Sequence, residues 1–453
     1  MKKELSISLA ALLILGNVVP VASAQEITPS KVNVVAQNDG AVNTGNRFFN
    51  KVHIEELTLE EAIRYGMEHN YQLKELEINL DMLKINERIL LENMDDMEDA
   101  LDYLTLQRDK LKRQLRDLED MKDITPPSGE DGTETGETPD PTNQIEEQIE
   151  FIRKQIYQLE DQESTSESAK SQLQNQLDTV DLNKTSLANN QEMLLKSMEV
   201  SISSIFLNLI MIEDQINFMK DTLETQKQQV EATKIKFQLG LVSRKDFDKA
   251  TREITELESK IAQLENQLKT EKANFAASIG VTYTGDYTLV KPELGNLVLV
   301  TQQKSTEELI KNSYNMENAR NTISVKEKVL ERIEDDEDAS YREVELAELE
   351  VEIAKLQLES LEIQLESAIN KAYLQLKQQY QALQDAEEKL KNAQVDNGDL
   401  QIYFDLGLLS KNDFDAANIS VKQAELNYNS AKYQYYLLTK QAELMEKGVI
   451  STN

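Results

Sequence analysis

The sequence predicts an all-α chain built as two tandem long helical hairpins, coiled-coil-like, with little or no β structure. Three observations predict it. With 14 Gly and 7 Pro in 453 residues there is too little punctuation for many short elements. The stretch Phe237 to Ala250, FQLGLVSRKDFDKA, recurs as FDLGLLSKNDFDAA from Phe404 to Ala417, with nine identical pairs at an offset of 167. Each copy then leads into an apolar seam stepping by three and four.

The duplicated stretch reads as the turn between two helices. Gly240 and Gly407 suit the left-handed conformation that ends a helix, and Ser243 and Ser410 offer a hydroxyl cap to the next one. Asp246 and Asp413, three residues after each Ser, act as capping partners near the positive end of the helix dipole. Leu241 and Leu408 sit inside the turns, so each copy is a hairpin tip. The seams beyond run Phe247, Ala250, Ile254, Leu257, Ile261 and onward, and Phe414, Ala417, Val421, Ala424, Tyr428 and onward to Leu438. Seams of that length are expected to need neighbouring copies to cover them.

In chain order, residues 1–24 read as a signal peptide: Lys2 and Lys3, an apolar run from Leu9 to Leu15, then Ala22-Ser23-Ala24. Residues 25–54 are polar and aperiodic, a flexible leader. The first repeat, 55–280, opens on a capping box at Thr58 and reads as helix to about Met121. An acidic, Pro- and Gly-rich loop fills 123–141. Helix resumes at Ile145, with a pause expected at Ser164 to Ser168, and is unbroken from about Ser171 to Gln238. Residues 94–174 read as an extra helical hairpin that the second repeat lacks. Residues 281–304 are the inter-repeat linker, with room for short strands, and the second repeat spans 305–448, opening at Thr306.

Composition argues against several kinds of chemistry. The chain has no Cys, and its 49 basic against 82 acidic residues give a net charge of −33, which repels nucleic acid and anionic lipid. The two histidines, His53 and His69, cannot share a helix face, so they form a poor metal or catalytic pair. Gly129, Gly132 and Gly136 lie among acids rather than around a phosphate. Paired acids such as Asp335 and Asp336 read as solvated faces. No catalytic residue, cofactor site or metal site is expected, and the protein reads as a non-enzyme.

The turn F-x-x-G-L-x-S-x-x-D-x-x-x-A between long helices, present twice, resembles the TolC-type outer membrane efflux proteins. So does Leu57 to Leu73, LTLEEAIRYGMEHNYQL, which is similar to the opening motif of that family. The resemblance spans about residues 55 to 447. It implies a helical tunnel of three copies that docks to a periplasmic adaptor and receives substrate from an inner-membrane pump. It also implies an outer-membrane location within the cell envelope, and tips (Gly240, Leu241, Ser243, Gly407, Leu408, Ser410) that meet the adaptor. By the same resemblance Asp413, and its counterpart Asp246, would line a cation-attracting constriction. The chain departs from the pattern at Ala416, where a second Asp is expected, and at Leu409, where an Arg ties closed tips together. Members of the family also insert a β-hairpin between the first two long helices of each repeat to build a membrane barrel. Here those places hold Leu-rich arms and, in the second repeat, ERIEDDEDASYREVE, neither of which alternates as a membrane strand must. The alternative is therefore a non-channel coiled-coil scaffold or adaptor of the envelope.

Overall fold

A computed structural model describes residues 54–124, 141–281, 283, 287–336 and 339–451. The signal peptide, most of the leader, His53 and most of the acidic loop lie outside the described residues. Those described belong to one unit, Phe48–Thr452. In order they are β1 (Glu56–Leu57), α1 (Leu59–His69), α2 (Tyr71–Ile124), α3 (Pro141–Gln238), α4 (Arg244–Ser278), β2 (Thr288–Leu289), α5 (Thr306–Lys311), α6 (Tyr314–Glu334), α7 (Tyr341–Asp405) and α8 (Lys411–Glu446). The strands form a single two-residue parallel ladder, so the all-α expectation holds.

The helix boundaries follow local chemistry. Thr58 caps α1 in a full capping box with Glu61. Asn70 interrupts what the periodicity predicts as one helix. Its side-chain oxygen accepts from the Leu73 N–H at 3.0 Å, and so restarts the chain as α2. Ser305, one residue before the expected Thr306, caps α5, and Ser340 caps α7 in a second capping box with Glu343. The pause expected at Ser164 to Ser168 does not occur: α3 runs unbroken for 98 residues, roughly 150 Å at helical rise. Local propensity loses there to packing and charge, because the neighbouring Glu163 is buried and salt-bridged to Arg108 of α2 at 2.5 Å.

Four columns of helix make one layer. α3 and α7 run the full height. α2 and α4, stacked end to end, flank α3 on one side, while α6 and α8, stacked likewise, fill the space between α3 and α7. The stacking points are tight. Gly280, at φ +74, lets the chain pass His69, where a Cβ would come within 2.3 Å of that side chain. At the other joint the Tyr314 N–H donates to the Gly448 carbonyl at 3.2 Å. Residues 94–124 and 141–174, read above as parts of an extra hairpin, belong to the distal parts of α2 and α3. Ion pairs such as Lys170–Glu98, Lys112–Glu160 and Lys122–Glu146, each at 2.7 or 2.8 Å, mark the rungs of this extension. In the second repeat α6 ends at Glu334 and α7 begins at Tyr341, so helix again stands where barrel strands would be.

The core lies where the columns change partners. One cluster joins α1, the middle of α3 (Phe206, Leu207, Ile210), the end of α4 (Phe275, Ile279) and the strands. A second joins α5 to α7 (Leu365, Ile369, Leu376) and α8 (Ala431, Tyr435, Met445). Lys272 is buried in the first region, paired with Glu213 at 2.5 Å, and donates to the Tyr287 carbonyl at 2.9 Å. The Tyr287 hydroxyl returns a bond to the Lys272 carbonyl at 2.9 Å, and burial pushes its pKa up. α3 includes an apolar stretch long enough to cross a membrane by length and composition, and half of that stretch is buried within the structure.

The two seams find their partners inside the chain, which corrects the expectation that neighbouring copies cover them. Ile261, Leu257, Leu264 and Leu268 of α4 pack on Ile216 and Met219 of α3. Tyr428, Ala431, Tyr435 and Leu438 of α8 pack on α7. A heptad stripe shows that a helix needs a partner but not which one, and antiparallel neighbours within the layer fill the role first.

Candidate functional site

Both tips are built alike. At the end of α3 the Gly240 N–H donates to the Phe237 carbonyl at 2.9 Å and the Leu241 N–H to the Lys236 carbonyl at 2.8 Å. The second tip repeats this with Gly407 to Phe404 at 2.9 Å and Leu408 to Tyr403 at 2.8 Å. These bonds require a left-handed residue, and Gly240 and Gly407 sit at φ +71 and +72. Ser243 then accepts from the Asp246 N–H at 3.2 Å, as Ser410 does from the Asp413 N–H at 3.2 Å.

Each Ser hydroxyl also donates to the carboxylate of its Asp, Ser243 to Asp246 and Ser410 to Asp413, both at 2.6 Å. The two aspartates are exposed, and each is held by its own cap rather than by the other tip. Asp248 pairs loosely with Arg244 at 3.7 Å.

Aromatic stacking fixes the angle of each hairpin. Phe237 and Phe247 stack with ring centroids 5.5 Å apart and planes within 9°, and Phe404 and Phe414 stack at 4.8 Å and 10°. Nothing in the periodicity assigns this role. The signal was present in the duplication, which repeats both Phe positions. With the rings closing the hairpin, the turn leucines point outward: Leu241 and Leu408 are each 72% exposed, and Leu239 and Leu406 are exposed beside them. Each tip is thus a rigid knuckle of two apolar side chains above a capped, acid-bearing helix start.

The two tips point the same way. Lys422 of α8 binds Asp221 of α3 at 2.6 Å, twelve residues past Ser410 and seventeen before Gln238. At helical rise the tips therefore end within roughly 10 Å of each other in height. No group of three or more His, Asp or Glu among the described residues could hold a metal ion.

No protein-family model matches the chain, and no curated protein sequence is similar to it. Solved structures are similar over nearly the whole length. The Campylobacter jejuni CmeC outer membrane channel matches at TM-score 0.53 and 13% identity, covering 94% of this chain and 95% of that one. The outer-membrane channel OprN matches at TM-score 0.52 and 11% identity, covering 93% and 98%. The open state of the Neisseria gonorrhoeae MtrE outer membrane channel matches at TM-score 0.52 and 11% identity, covering 86% and 89%. At these identities what is shared is the fold, and the chain has the helical-tunnel fold of outer membrane channels of the TolC-like kind.

Proposed function

We propose that this chain is the tunnel component of an export or efflux assembly of the cell envelope. Three copies close a helical tube whose tips dock to a periplasmic adaptor and receive substrate from an inner-membrane pump. The observation that carries this reading is the pair of equivalent, outward-facing tips at one end of an open four-column layer. That layer has the fold of full-length channels such as CmeC and MtrE. Gly240, Leu241, Ser243, Gly407, Leu408 and Ser410 form the adaptor-docking surface. In a closed ring Asp246 and Asp413 would stand around the entrance as a constriction that attracts cations. The neighbours are channels, which supports a non-enzymatic role.

A second reading has one observation in its favour. Where TolC-type proteins have barrel strands, the described residues on both sides of the α2–α3 and α6–α7 connections are helical. An envelope scaffold that keeps the tips without crossing a membrane would have this form.

Transport in cells lacking the chain separates the two readings. The tunnel reading expects a pump substrate to accumulate, with rescue by the wild-type chain but not by a chain bearing Leu241→Glu and Leu408→Glu. Unchanged transport with altered envelope integrity would favour the scaffold.

A further inference from the structure

The distal parts of α2 and α3 form a bare two-helix hairpin. Arg332, two residues before the end of α6, binds Asn175 and Asp178 of α3. The helices from about Met97 to Ile124 and from 141 to about Leu173 therefore stand roughly 40 Å beyond α6 and α7, where no other described element reaches them. The Leu/Ile seam between them can be written as a heptad, with Leu101 and Ile149 at a and Leu104 and Ile152 at d. That seam leaves two sides, and their chemistry differs.

The side made by positions b and e holds the ion pairs. Lys112 binds Glu160 and Arg153 binds Glu119, both at 2.8 Å, and the glutamates that pair with Lys122 and Lys170 lie there too. Thirteen of its eighteen residues are charged. On the side made by positions c and g only Asp96, Lys110 and Asp117 are charged among eighteen, although the whole chain carries −33. That side is a ladder of amides. The register that joins Lys112 to Glu160 sets Gln107 level with Gln162 and Gln114 level with Gln155, two rungs about 10 Å apart along the axis. The four amides have no hydrogen-bond partner among the described residues. Tyr103 stands beyond the first rung and Phe151 beyond the second, 62% and 63% exposed.

We propose that this side of the extension binds an uncharged polysaccharide of the envelope, a chain of β-1,4-linked N-acetylhexosamines laid along the hairpin. Sugar hydroxyls and acetamido groups both donate and accept hydrogen bonds, as glutamine amides do, so each rung can be satisfied. The C–H face of a pyranose ring carries partial positive charge and stacks on the negative faces of Tyr103 and Phe151. Rungs one heptad apart recur at close to the length of one extended disaccharide. A polyanion is repelled by the chain's net charge of −33, and a polycation would take the charged side instead. A second copy fits this side worse than a glycan does. A dry helix-to-helix seam here would bury unpaired amides with no leucine stripe to offset their desolvation. The inference rests on the envelope location proposed above and is independent of the tunnel.

Calorimetry of the full chain with a hexamer of N-acetylglucosamine tests it. Saturable binding is expected, and Tyr103→Ser with Phe151→Ser should weaken it roughly 10-fold by removing both stacking surfaces. Tyr157→Ser removes an equally exposed ring, at 71%, from the charged side and should leave binding unchanged. All three side chains are exposed, so circular dichroism should show the same helical content in every variant. No saturable binding by the wild-type chain, or an equal loss with Tyr157→Ser, overturns the proposal. A Tyr103→Ser, Phe151→Ser chain that keeps its glycan binding but changes its oligomeric state in sedimentation assigns this side to a contact between copies and also overturns it. The tips are untouched in every variant, so the tunnel reading, measured by transport, stands or falls separately.

Discussion

Alanine substitutions at four glycines separate the tips from the joints of the layer. Gly240 and Gly407 sit at φ +71 and +72 with nothing within 4 Å of an added Cβ, so the only cost of alanine there is the left-handed conformation, about 1–2 kcal/mol. Gly448, at φ +87, would place a Cβ 2.6 Å from the Asn312 carbonyl oxygen, and Gly280, at φ +74, would place one 2.3 Å from the His69 Cβ. Conformational strain and a steric clash, with the Asn312 backbone at Gly448 and with the His69 Cβ at Gly280, add at these two positions, so each should cost more than ~3 kcal/mol. Hydrogen exchange read by mass spectrometry resolves where each cost falls. Gly240→Ala and Gly407→Ala should speed exchange about 5- to 30-fold in the tip peptides alone, with circular dichroism unchanged. Gly448→Ala and Gly280→Ala should speed it at the α6/α8 and α2/α4 joints and lower the melting temperature. Equal effects at all four positions, or a tip variant that loosens the joints, would refute the reasoning.

Three further outcomes follow from the geometry. Leu241→Glu with Leu408→Glu alters only exposed side chains, so stability should change by less than ~0.5 kcal/mol while binding to a hairpin adaptor falls, as a pull-down would register. Ala431→Glu should destabilise the single chain by several kcal/mol rather than only dissociate an assembly, because Ala431 is buried against α7; thermal unfolding at low concentration reads this. The Ser340 backbone N–H and then its hydroxyl hold the Glu343 carboxyl below the ordinary value of 4.5. With the folded pKa depressed, the stability from this cap is present above the unfolded value and lost as pH falls through the folded one. An NMR titration should find the Glu343 midpoint lowered, and Ser340→Ala, which keeps the backbone N–H and removes only the hydroxyl, should return it only part of the way towards 4.5; a wild-type midpoint that is not lowered would argue against the capping box.

What the sequence revealed, and what it did not, divides by the range of the interactions. The tips were legible because Gly240, Ser243 and Asp246, and their second copies, act within a few residues of one another, and local conformation dictates those residue types. The seams were legible as stripes, yet their destinations were not, since Ile261 and Tyr435 look alike whether they meet a neighbouring column or a neighbouring copy. The run Ser164 to Ser168 reads as a break by propensity, and only the approach of Arg108 to Glu163 across the hairpin shows why helix persists there. Asn70 gave the opposite error, a break hidden in a continuous apolar pattern.

Single-particle electron microscopy of the purified chain tests the central claim most directly, that this molecule is a wall segment of a closed helical tunnel. The account predicts rings of three copies around an open lumen, with six tips at one end. Single four-column layers with both edges free, seen at every concentration and with or without the adaptor, would contradict it.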